Sequence, residues 1–129
     1  MRRPRVLLAG LAALVVVAAA CSNDGGGSDS AYKEPTGAAQ ETLTVEAGNL
    51  YFKPTELELP AGVNAIKLDG KGGTHDLVFD DDKVPGFQLD VNGDGTSEEL
   101  KLDLKPGKYT YYCSIPGHRA SMEGTLTVT

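Results

Sequence analysis

From residue 42 to the end, the chain is a series of short segments in which apolar and polar residues alternate. In TLTVEAG (42–48) Leu43 and Val45 share one side, in TELELPAG (55–62) Leu57 and Leu59 do, and in NAIKLDG (64–70) Ile66 and Leu68 do. Successive side chains on a strand point to opposite faces, so each segment predicts a β-strand with one buried side. HDLVF (75–79), ELKLDL (99–104), KYTYYC (108–113) and GTLTVT (124–129) continue the series, and PAG (60–62) and KPGK (105–108) supply turns. No segment carries the apolar repeat of an amphipathic helix. The expected fold is all-β, a β-sandwich of about seven or eight strands with Greek-key connections.

Upstream the pattern changes. Met1, Arg2, Arg3, Pro4 and Arg5 precede fifteen residues without a polar side chain (6–20), and the run stops at Cys21. This is the layout of a secretory signal, and the run falls short of the roughly 20 residues that a membrane-spanning helix needs. VVVAAAC followed by Ser22 resembles the cleavage site of bacterial lipoproteins, in which the Cys becomes the lipidated first residue, although Ala18 stands where that motif more often has Leu. A disulfide between Cys21 and Cys113, the other use of this residue, would tie the core to a segment whose flanks look disposable. The residues after Cys21 are polar, rich in Gly and Ser, and lack apolar periodicity, as a flexible tether does. The expected division is a signal at 1–20, a lipidated Cys21 and tether over 21–41, and one domain over 42–129. Such a protein is exported and anchored to the outer face of the cytoplasmic membrane.

Charge narrows the partners. Loss of residues 1–20 removes three arginines and leaves nine basic against eighteen acidic residues, a formal charge of −9. A surface of this sign repels phosphate backbones, which argues against DNA or RNA.

The candidate chemistry lies in YYCSIPGHRASMEG (111–124), where Cys113, His118 and Met122 fall within ten residues. Cys113 is expected at the end of a strand whose inner face also carries Tyr109 and Tyr111, and Pro116 and Gly117 bend the chain before His118. A loop held between two strands can aim all three side chains at one point. A thiolate, an imidazole and a thioether suit copper better than a hard ion, and a trigonal copper site needs a second imidazole. The chain has two histidines, and the other is His75 at the start of a predicted inner strand. Singly, a buried Cys is most simply a small core residue, a Met a gap filler and a His a turn cap. Jointly, those explanations must account for why both His, the one Cys of the domain and its one Met fall into one pattern.

That pattern resembles the cupredoxins, the small blue-copper family that includes azurin, plastocyanin and auracyanin, over residues 42–129. The resemblance implies a mononuclear type 1 site held by His75, Cys113, His118 and Met122, with one copper ion cycling between Cu(I) and Cu(II) and Met122 as a weak axial ligand. It also implies an electron carrier, not an enzyme, with the His118 edge near the surface and Ile115, Pro116 and Gly117 as an apolar collar. The Cys-to-His and His-to-Met spacings are closer to azurin than to plastocyanin. Two features depart from the family. Many cupredoxins follow the first His with Asn, and here Asp76 takes that place, where a carboxylate turned toward Ser114 would accept its hydrogen bonds and bring a negative charge near the metal. Azurins also carry a disulfide near their N-terminus, which a domain with one Cys cannot form.

No His remains for a trinuclear cluster or a second copper, and no second Cys for a binuclear centre. The alternative function is a copper-binding or copper-delivering lipoprotein that carries no electrons, and a further one is an interaction module without metal. As partners the reading expects a redox protein, such as a cytochrome or a membrane oxidoreductase, for a monomeric carrier. Eight acidic residues between Asp80 and Asp103, set against Lys83 and Lys101, could steer a basic partner, with Asp80, Asp81 and Asp82 foremost. DVNGDGTSEE (90–99) resembles the first half of a calcium loop through Asp90, Asn92, Asp94 and Gly95, but Lys101 stands where such a loop places its bidentate Glu. The simpler reading of that stretch is a solvated acidic turn.

Overall fold

The computed structural model describes residues 32–80 and 82–129; the predicted signal, Cys21, the start of the tether and Asp81 lie outside the described residues. Nine strands follow in order: β1 (Thr42–Gly48), β2 (Tyr51–Lys53), β3 (Glu56–Leu59), β4 (Gly62–Gly70), β5 (Thr74–Phe79), β6 (Gln88–Asn92), β7 (Ser97–Leu104), β8 (Gly107–Tyr112) and β9 (Glu123–Val128). They build two sheets, β2-β1-β4-β7 and β3-β9-β8-β5-β6, and five of the eight connections cross from one sheet to the other. The all-β sandwich is as expected, with two strands more than the alternation marks. β2 is three residues long, too short for a period of two to register, and β6 includes the start of the acidic stretch that reads as a turn.

The inner faces follow the alternation. Val45, Ile66, Leu68 and Leu102 of one sheet, and Leu59, Leu77, Leu89 and Leu126 of the other, are at most 1% exposed. Each such burial contributes about 1.5–3 kcal/mol relative to an exposed side chain. Two parallel pairings, β1 with β4 and β3 with β9, set Val45 beside Leu68 and Leu57 beside Leu126. Tyr109, Tyr111 and Cys113 share the inner side of β8 and its extension, and the buried phenols are satisfied: Tyr111 donates to the Pro54 carbonyl at 3.0 Å and Tyr109 to that of Lys105 at 2.8 Å. Gly124 makes room for Tyr111, because a Cβ there would lie 2.3 Å from the Tyr111 ring.

Residues 32–41, expected to be part of a tether, make defined contacts with the strands. Tyr32 sits edge-on to Phe87 with ring centroids 5.1 Å apart, and its hydroxyl donates to the Lys101 carbonyl at 2.6 Å. Glu34 Oε1 accepts from the Lys101 amide at 2.7 Å, Lys101 Nζ donates to the Gly37 carbonyl at 2.9 Å, and the Gln40 amide donates to Val63 at 2.8 Å. β7 is the edge of its sheet, so its outward backbone groups need partners, and Tyr32 and Glu34 supply them for Lys101. Residues 32–41 thus pack against the domain expected over 42–129.

The stretch that resembles half a calcium loop is divided between a strand and a turn. Asp90 and Asn92 lie on β6, and only residues 93–96 form the turn to β7. Asp90 Oδ1 accepts from Gln88 at 2.9 Å, and Asn92 Oδ1 accepts from Thr74 at 2.9 Å.

Candidate metal centre

Three elements deliver the site. His75 is the second residue of β5, Cys113 directly follows β8, and Met122 directly precedes β9, with His118 on the loop between them. β8 pairs with both β5 and β9, so the ends of these three strands meet at one end of the second sheet. The loop closes on itself: the Cys113 amide donates to the Met122 carbonyl at 3.0 Å, the His118 amide to Ile115 at 3.0 Å, and the Met122 amide to His118 at 3.0 Å.

Among the described residues, one group of three or more His, Cys, Asp or Glu side chains is placed to share an ion: His75, Cys113 and His118, whose ligand atoms all lie within 4.8 Å of one another. Cys113 Sγ is 3.6 Å from His118 Nδ1. His75 Nε2 lies 3.0 Å from the Gly72 carbonyl, which can only accept, so Nε2 carries the hydrogen and Nδ1 presents its lone pair. That Nδ1 is buried and has no hydrogen-bond partner among the described residues. An orphaned buried acceptor beside a thiol and a second imidazole fits a soft or intermediate metal ion. Gly73 belongs to the same arrangement: its φ is +75°, and a Cβ there would press to 2.9 Å on His75 Nε2. Met122 is fully buried at the site.

Asp76 is 5% exposed and turns inward to the loop. Its Oδ1 accepts the Ser114 amide at 2.5 Å, its Oδ2 accepts the Ser114 hydroxyl, and its own amide points at Cys113 Sγ at 3.5 Å. Burial pushes the Cys113 thiol above its ordinary range, and the Asp76 carboxylate adds to this, while the amides of Asp76 and Ile115 oppose it. The metal-free thiol accordingly keeps its proton, and a bound cation takes that proton's place.

Outside the ligands, His75 and His118 border a groove of about 720 Å³ lined also by Leu50, Lys71 and Ile115. Leu50 is 44% exposed and sits at φ +56° in the two-residue connection from β1 to β2. Sequence reasoning missed it, since a single Leu between two strands carries no periodic signal. It also missed Arg119, whose guanidinium lies over the Tyr112 ring and pairs with Asp80 and Glu123. Asp80, expected to be part of a free acidic patch, is engaged by this arginine, which holds its carboxyl below the usual range.

The family model of copper-binding proteins, plastocyanin/azurin family, matches residues 39–129. Chloroplast plastocyanin of Pisum sativum is 35% identical over 101 residues, which cover 70% of this chain and 59% of that protein. Plastocyanin of Scenedesmus fuscus is 34% identical over 94 residues, 67% of this chain and 94% of that protein. The chain thus spans somewhat under three fifths of the chloroplast relatives it matches. Among solved structures, the auracyanin of Roseiflexus castenholzii shares the fold with a TM-score of 0.59 at 21% identity, over 71% of this chain and 99% of that one. Auracyanin B does so with a TM-score of 0.58 at 25% identity, over 74% and 94%. With a two-sheet β-sandwich and His75, Cys113, His118 and Met122 set out as a type 1 copper site, the chain belongs to the plastocyanin/azurin family of copper-binding proteins.

Proposed function

We propose that the protein is a single-electron carrier exported to the outer face of the cytoplasmic membrane and held there by a lipid on Cys21. Copper-mediated electron transfer in general follows from the family and its ligand set. The location and the anchor rest on the basic, apolar and small-residue pattern before Cys21, and the polar residues after it supply reach from the membrane.

The observation that carries the electron-transfer reading is the buried, unpartnered Nδ1 of His75 facing Cys113 and His118. Cys113, His75 and His118 would hold the ion, with Met122 as the weak fourth donor. Bound copper supplies one-electron exchange between Cu(I) and Cu(II). The chain's task is to keep the donors in one arrangement for both states and to exclude water from all but the His118 side. His118 is half-buried beside half-buried Ile115 and exposed Leu50, an apolar rim against which a redox partner such as a cytochrome would dock.

Voltammetry of the copper-loaded protein tests the carrier reading: one copper per chain and reversible one-electron cycling are expected. A colourless protein that yields its copper to a chelator and does not cycle would be a metal-delivery protein instead. Cys21→Ser is expected to move the protein from the membrane fraction to the soluble one, and retention at the membrane would contradict the anchor.

A further inference from the structure

We propose that Arg119 is the positioning residue of the metal loop, fixing His118 by tying together the chain neighbours of all three loop ligands. The proposal rests on the copper reading above, but the clamp is built entirely of this chain's own residues. Cys113, His118 and Met122 are flanked in sequence by Tyr112, Arg119 and Glu123. These three neighbours meet. The Arg119 guanidinium carbon is 3.9 Å from the Tyr112 ring centroid, and Arg119 Nε donates to Glu123 Oε2 at 2.8 Å. The two terminal nitrogens grip one carboxylate, at 2.9 Å from Asp80 Oδ1 and 2.8 Å from Asp80 Oδ2. Asp80 directly follows β5, the strand that carries His75. One planar cation thus joins the end of β5, the end of β8 and the start of β9 to the residue next to His118.

The type of residue matters. Only a planar, forked donor can hold a carboxylate with two nitrogens, a second carboxylate with a third, and still place its charge over an aromatic ring. A lysine would bring the charge without the plane. Isolated exposed ion pairs add little to global stability, and Arg119 is 44% exposed, so the clamp's effect belongs in the geometry of the loop. At its other end the loop is tied by Ser114 to Asp76, so His118 is held between two side-chain ties in addition to its turn hydrogen bonds. A loop ordered before metal arrives does not have to be ordered by it, and it presents the same donors to both oxidation states.

The test compares wild type with Arg119→Lys, Arg119→Gln and Asp80→Asn. Amide exchange over residues 114–122 is measured in the metal-free protein, together with the rate of copper loss to a competing chelator, the reduction potential and the thermal midpoint. All three variants are expected to exchange faster in the loop and to lose copper roughly two- to tenfold faster, in line with loss of a networked surface interaction. The thermal midpoint and the exchange of β5 and β8 should hold. Arg119→Gln and Asp80→Asn change charge in opposite senses, so a shared direction of effect identifies the clamp, whereas opposite directions in potential with an unchanged loop would identify a bare charge effect and overturn it. Unchanged loop exchange in both arginine variants would also overturn it. Failure of the copper reading would look different: no copper uptake by wild type, with the loop still protected.

Discussion

At the scale of single residues, the ligands were legible because their types are scarce. With two His, one Cys in the domain and one Met there, the donor set had one arrangement to take, and alternation already placed Cys113 on the inner face beside Tyr111. Asp76 was legible as a departure from a family pattern, and the structure turns its carboxylate onto both donors of Ser114. A negative group beside the ligand loop favours the more positive oxidised ion, and burial weakens solvent screening of it. Asp76→Asn is therefore expected to raise the reduction potential, by on the order of tens of millivolts, where about 59 mV is tenfold for one electron. The blue absorption should persist, since no ligand is removed. Equal potentials in voltammetry of the two proteins would mean that the charge is not felt at the metal. Arg119 was not legible, because nothing local in HRAS announces that its partners are Asp80, 39 residues away, and the ring of Tyr112.

At the scale of elements, seven strands showed through their apolar alternation and two did not. β2 is too short, and β6 carries Asp90 and Asn92 on its outer side, which made its polar half look like part of the turn. The segment before β1 was hidden for a different reason: it has no periodicity, since it adds hydrogen bonds to the edge of β7 without forming a strand of its own. Tyr32 gives this segment a signature in alkali. Burial, with Glu34 and Asp103 nearby, raises its phenol from 10.0 to about 12. The unfolded chain releases that proton first, so the contribution of Tyr32 is full below about pH 10 and is lost as pH rises through about 12. Denaturant unfolding of wild type and Tyr32→Phe at about pH 9 and about pH 11.5 should show a smaller alkaline loss in the variant. Identical losses would place Tyr32 in solvent.

At the scale of the whole molecule, the acidic balance was legible and the use of its individual charges was not. Asp80 serves the loop, so substituting it would mix steering with ligand geometry. Asp82, Asp94 and Glu99 are exposed and lie outside the clamp. Neutralising these three should slow association with a basic cytochrome at about 0.01 M salt, where charges act over roughly 30 Å, and matter little at about 0.15 M, where the range is roughly 8 Å. A rate insensitive to both charge and salt would leave the acidic surface a matter of solubility. The pairing of β8 with β9 runs from Gly107 to Tyr112 and stops short of Cys113, so replacing that side chain leaves the paired residues in place. The central claim therefore has a direct measurement: optical and paramagnetic-resonance spectra of wild type and Cys113→Ser during titration with copper(II). Wild type is expected to take up one copper with the intense blue absorption of a copper–thiolate bond, and Cys113→Ser to lose that absorption completely while remaining folded. A wild type that stays colourless at saturation, or an unchanged blue band in the variant, would contradict the account.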